Sequence, residues 1–100
     1  MARLDVYAPD HGAGLWLDCQ ADRLQHLSHR FVVPLLRESD APKPGFPGLN
    51  PALTIEDEPW VMMTQFAGNV PLRELGKPIS RLTDYDHRII RALDTLIGTA

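Results

Sequence analysis

Cysteine is almost missing from this chain of 100 residues: Cys19 stands alone, so an intrachain disulfide is excluded and folding does not depend on an oxidising compartment. Also missing is an apolar run approaching the ~18–20 residues that cross a bilayer, and the opening MARLDVYAPD lacks the apolar segment of a signal peptide. Both absences point to a cytoplasmic protein. Excess positive charge is absent too. The 10 Lys and Arg are scattered and outnumbered by 13 Asp and Glu, which leaves a net charge of −3 and removes the basis for nucleic-acid binding through a basic face. Protein is the partner class that remains. With 44% hydrophobic and 23% charged residues the composition is that of an ordinary globular domain, neither disordered nor fibrous. We expect one domain, 1–100. At this size only about 60–70% of the unfolded surface is buried, so a dimer interface would add useful burial.

What is present is mainly strand pattern. Leu53 and Ile55 alternate with Thr54 and Glu56, and the chain then meets Glu56, Asp57, Glu58 and Pro59, which are poor strand formers. It is expected to reverse there and return through Trp60 to Thr64, giving a hairpin. The return strand is apolar on both faces and is predicted to lie mid-sheet. Arg3 to Tyr7 and Leu15 to Gln20 alternate as a first hairpin around His11–Gly14, with Leu15, Leu17 and Cys19 on one face and Trp16, Asp18 and Gln20 on the other. Ala21 to His29 reads as loop. Phe31 to Leu36 is a strong β run, but Pro34 lacks a ladder donor and is expected at an edge or a bulge. Glu38 to Pro51 holds four of the nine prolines in a long aperiodic loop. Val70 to Leu75 reads as a short edge strand broken by Pro71. Thr83 and Asp86 resemble a capping box that starts a helix, along which Tyr85, Ile89, Leu93 and Ile97 recur at four, widened by Ile90, Ala92 and Leu96. This helix is expected to dock Leu93 on the sheet.

Several motifs invite chemistry and are better read plainly. His26 and His29, with His11 and Cys19, lack the paired spacing of a zinc site and read as surface histidines. Asp10-His11 has no nucleophile beside it, so a small hydrolase is a remote alternative. Gly12-Ala13-Gly14 is too short for a phosphate cradle, and Glu56 to Glu58 read as a solvated turn. No cofactor is implied. Trp60 is expected in the core, while Trp16, on the opposite face from Leu15 and Leu17, is divided between core and contact surface.

Order and spacing carry more than any single motif. Val6-Tyr7, Leu17-Asp18-Cys19-Gln20, Arg30 to Leu35, the acidic turn followed by Trp60-Val61-Met62-Met63-Thr64, Asn69-Val70-Pro71-Leu72, Gly76 and a C-terminal amphipathic helix together resemble the CcdB-type toxins of toxin–antitoxin pairs. The resemblance implies an SH3-like antiparallel β-barrel with a small accessory sheet and one C-terminal helix. It further implies a homodimer that is not an enzyme, that poisons DNA gyrase by binding its A subunit, and that is controlled by an antitoxin with a disordered C-terminal segment. Carried onto this chain, the family's target contacts fall on Leu4, Tyr7, Ala21, Arg23, Leu24, Asp94, Ile97, Gly98, Thr99 and Ala100. The family's chain ends in tryptophan, glycine and isoleucine where this one reads Ile97-Gly98-Thr99-Ala100. An alternative is therefore a member that keeps the fold and antitoxin binding but has lost gyrase poisoning.

Overall fold

The computed structural model describes residues 2–10 and 14–99. Among these residues seven strands form one antiparallel sheet: β1 (Asp5–Tyr7), β2 (Leu15–Asp18), β3 (His29–Arg37), β4 (Ala52–Ile55), β5 (Glu58–Met62), β6 (Gly68–Pro71) and β7 (Ser80–Arg81). Their order is β4-β5-β3-β2-β1-β7, with β6 also on β3 as a short accessory branch. The helix α1 (Asp86–Ile97) follows a 3-10 turn over Thr83–Tyr85. Leu53 of one edge strand shares a core with Leu4 and Leu82, which flank the other edge, together with Leu17, Val33, Leu35, Ile55, Trp60 and Met62. Two ends of one sheet meet over a common core only if the sheet curls, so this is a nearly closed barrel with its helix packed across the inside, as expected.

β3 is the spine. It pairs with β2 along Val32 to Leu35, with β6 along His29 to Val32 and with β5 from Leu35 to Arg37. Pro34 is thus in the central strand, not at a sheet edge. Its side away from β2 falls where β3 exchanges β6 for β5, and its carbonyl accepts the Met63 N–H at 2.9 Å. The missing N–H costs little because no ladder acceptor stands there.

The central hairpin is tighter than expected. Glu56 and Asp57 alone make the turn, both with positive φ (51 and 66), and Glu58 and Pro59 already belong to β5. Two consecutive left-handed residues form the two-residue turn that matches strand twist. Because Ile55 and Glu58 close that turn, Thr54 and Pro59 form a non-hydrogen-bonded pair, so neither points its backbone groups at the other. Proline is therefore tolerated, and the outward Thr54 N–H donates to the Tyr85 hydroxyl at 3.1 Å. Tyr85 covers an exposed strand edge in this way.

At the helix start, Thr83 makes no capping hydrogen bond and the Asp86 carboxylate instead accepts from Arg3 Nη2 at 2.7 Å. The expected capping box is replaced by this ion pair, which holds Asp86 below and Arg3 above their ordinary pKa ranges. Ile89 and Ala92 are fully buried, whereas Tyr85 and Leu93 are only partly so, and Ile90, Leu96 and Ile97 face outward. The stripe docks at its middle and leaves the sheet at its end. Trp60 is in the core and Trp16 is half-buried. Among the described residues, no helix is long and apolar enough to cross a membrane. The His11 to Ala13 part of the first turn, and with it the histidine of the Asp10-His11 pair, lies outside the described residues.

Candidate contact surface

Two surfaces emerge from the residues singled out above. The first is the exposed loop after β2. All of residues 21–29 are exposed, with Ala21, Arg23 and Leu24 in or beside a 3-10 turn over Asp22–Leu24 that contains no buried residue. An exposed turn without an apolar anchor must be held by hydrogen bonds. Beneath it lies a polar layer: Arg30 Nε donates to Asp18 Oδ2 at 2.9 Å and Arg30 Nη2 stands 2.6 Å from the same oxygen, with both side chains fully buried. Asp18 Oδ1 then accepts the Gln20 N–H at 3.0 Å. Burial lifts the Asp18 carboxyl above its usual range, and the Arg30 hydrogen bond opposes that lift. Adjacent Cys19 is pushed up to about 12 by burial, which makes it a poor nucleophile.

The second surface is the last turn of α1. Ile97 is 69% exposed and Leu96 41%, while Gly98 takes a left-handed conformation (φ 85) that ends the helix. The N–H groups of Gly98 and Thr99 both donate to the Asp94 carbonyl, the latter at 2.8 Å, so Asp94 to Thr99 form one folded cap. Asp94 is half-buried. Ala100 lies outside the described residues.

Leu4 and Tyr7 belong to neither surface. Leu4 is 2% exposed, with an unusual φ of 75, and joins the core, whereas Tyr7 is 0% exposed on the other face of β1 from Val6, on the side of Asp18 and Arg30. Nor do the two surfaces converge in one chain. Arg3 ties the loop to the start of α1, through its N–H to Asp22 Oδ1 (2.7 Å) and its guanidinium to Asp86. Ile97 is at the other end of a 12-residue helix, about 18 Å along its axis. What residue-by-residue reading missed is the polar layer itself. Its signal was present in the alternation, which set Asp18 and Gln20 on one face, but buried charge cannot be told from exposed charge by period alone.

Apart from these surfaces, a cleft of about 320 Å³ is lined by Ile55, Trp60 and Ile79; Arg37 lies over Trp60 there, 5.0 Å from the ring centroid, and pairs with Glu58. Among the described residues, no group of three or more His, Cys, Asp or Glu is placed to hold a metal ion.

Residues 3–98 match the family described as CcdB protein. The chain belongs to the CcdB family. A search of curated protein sequences returns no match. Among solved structures, the chain is similar to an endoribonuclease in complex with its cognate antitoxin from a mycobacterial species, at 21% identity and TM-score 0.79, covering 100% of this chain and 97% of that one. It is also similar to a mycobacterial endoribonuclease at 20% identity and TM-score 0.76, covering 98% of this chain and 91% of the other. A third likeness is to the Mycobacterium tuberculosis toxin MazF-mt6, at 14% identity and TM-score 0.75, with 96% and 98% covered. At such identities the likeness concerns the fold. It nonetheless overturns the expectation of a non-enzyme drawn from family resemblance: this CcdB-family barrel is one on which endoribonucleases are built.

Proposed function

We propose that this chain is the toxin of a type II toxin–antitoxin pair, that it acts as a homodimer in the bacterial cytoplasm, and that its target is the A subunit of DNA gyrase. Membership of the CcdB family supports the target and the two-fold assembly. A structural relative in complex with its cognate antitoxin supports an antitoxin as controlling partner. The observation that carries the reading is the apolar end of α1. Ile97, Leu96 and Ile90 are exposed on a helix whose middle is fully docked, an arrangement that adds nothing to the chain's own core and suits insertion into a partner. A two-fold dimer presents this end and the 21–24 loop twice, matching a two-fold target.

One finding favours a second reading. Endoribonucleases share this barrel, so RNA cleavage is the rival activity. One experiment separates them: purified protein is mixed with the host's gyrase and plasmid DNA, and separately with host RNA. Double-strand DNA cleavage stabilised by the protein and abolished by its antitoxin is the expected result. Intact DNA with cut RNA would replace gyrase by RNA as the target. If both stay intact while the antitoxin binds, the member has kept its fold and its control but lost the poisoning activity.

A further inference from the structure

Gln20 is 8% exposed, yet it begins a stretch in which every residue from 21 to 29 is exposed. Its side-chain amide is fully engaged with backbone on both sides of that loop. Nε2 donates to the Leu24 carbonyl at 3.0 Å and to the His29 carbonyl at 3.2 Å, and Oε1 accepts the Phe31 N–H at 2.9 Å. Leu24 closes the 3-10 turn, whereas His29 and Phe31 lie in β3, so one side chain pins the turn to the spine of the barrel. Its own N–H is fixed by Asp18, which Arg30 holds in the polar layer. The other restraints on the turn are its own short-range backbone bonds and one charge-assisted bond, from the Arg3 N–H to Asp22 Oδ1 at 2.7 Å, neither of which ties it to β3.

We propose that Gln20 is a positioning residue that presets the Ala21–Leu24 turn for partner recognition, by carrying the rigidity of the buried Arg30–Asp18 pair out to that turn. The inference rests on the reading of this loop as a contact surface. A loop held in its bound shape before encounter loses less freedom on binding than one that must be ordered.

Gln20→Glu keeps size and the acceptor for Phe31 but turns the two-donor end toward two carbonyls as an oxygen, so it attacks the loop link specifically. Gln20→Met keeps length and burial with no donor at all, and serves if the Glu variant does not fold. Hydrogen exchange of the full chain is the primary readout. Protection of the Leu24, Gln25 and Leu27 amides should fall at least about tenfold in both variants while Val33 and Leu35 keep theirs. In Gln20→Glu, but not in Gln20→Met, protection should return as pH is lowered through the carboxyl range, because a protonated Glu regains one donor. The Met variant subtracts the titration of nearby Asp18, Asp22 and His29. Binding to the immobilised gyrase A subunit should weaken about tenfold in step with the loss of protection. Unchanged loop protection in both variants overturns the proposal, and so does a loosened loop with unaltered affinity. Failure of the unmodified protein to bind gyrase would instead remove the target reading, and the exchange data and their pH recovery would still decide the role of Gln20.

Discussion

The two candidate surfaces are built in opposite ways. The loop after β2 stands on a buried ion pair and a fully bonded glutamine, whereas the end of α1 stands on little beyond its own cap at Asp94. In the first, the exposed residues depend on interior residues whose replacement is costly. In the second, Ile97 to Thr99 are exposed, and apart from the left-handed Gly98 little in the fold restricts what stands there. The difference explains how a chain can keep Leu17-Asp18-Cys19-Gln20 and Arg30 to Leu35 in the family's order and yet end in Ile97-Gly98-Thr99 where the family ends in tryptophan, glycine and isoleucine. Fold constrains the one surface and little in the fold constrains the other.

The sharpest way to break this contrast is to break the ion pair. Asp18→Ala leaves the Arg30 guanidinium buried without its counter-charge, and we expect a loss of about 3–5 kcal/mol in urea unfolding. A loss under about 1 kcal/mol would mean that water reaches the layer and that the two surfaces are alike after all.

The pair also marks the limit of what the sequence discloses. Alternation placed Leu53, Ile55 and Trp60 inward and found both hairpins, because strand period follows directly from which side chains are apolar. It could not place Pro34 or Pro59. Whether a proline harms a strand depends on which way its missing N–H would point, and that is settled by partners distant in sequence. Nor could it see that Asp86 would be taken by Arg3 instead of capping its helix, a contact across 83 residues. The site was legible to the same extent. Of the residues the resemblance named, Ala21, Arg23, Leu24 and Ile97 are exposed, whereas Leu4 and Tyr7 are buried, which pairing across the sheet decides and local sequence does not.

A gradient along α1 gives the next test. Ile89 is fully buried and Leu93 only half, so Ile89→Ala should cost about 2–4 kcal/mol and Leu93→Ala clearly less, about 1–2 kcal/mol. Equal losses in chemical denaturation would show that the helix is docked along its whole length, as the four-residue spacing alone would suggest.

Cys19 reports on the first surface without any mutation. Its thiol is pushed up to about 12 by burial, against an ordinary value near 9. At pH 8 a disulfide reagent should therefore react with the native protein at least on the order of 100-fold more slowly than with the urea-unfolded chain. The sign for stability follows. The unfolded chain releases this proton first, so the Cys19 contribution is intact below pH 9 and is lost as pH rises from there toward 12. Cys19→Ser should flatten that alkaline decline. Native reactivity equal to unfolded would place the wall of the barrel in frequent local opening, and the surface beside it would lose its rigidity.

The smallest effect on folding is expected at the helix end, where it should accompany the largest effect on partner binding. Ile97 is 69% exposed, so Ile97→Ser removes almost no burial from the chain and should shift stability by no more than about 0.5 kcal/mol. If this apolar end enters a partner, the same change should weaken binding to gyrase by about tenfold or more, since apolar anchors near the centre of an interface carry much of its energy. The neighbouring position gives the complementary experiment. Gly98 is left-handed at the helix cap, with φ 85, so Gly98→Trp would supply the family's indole at a backbone cost of about 1 kcal/mol. The cost would appear as a small drop in thermal midpoint, and any gain in gyrase affinity would be larger than it. Tighter binding with a slightly lower midpoint would show that only the partner has constrained this end of the chain. An Ile97→Ser variant that unfolds easily would show the reverse: the helix end would then be part of the fold, covered by a second copy or by the chain itself, and its departure from the family's pattern would need a structural cause.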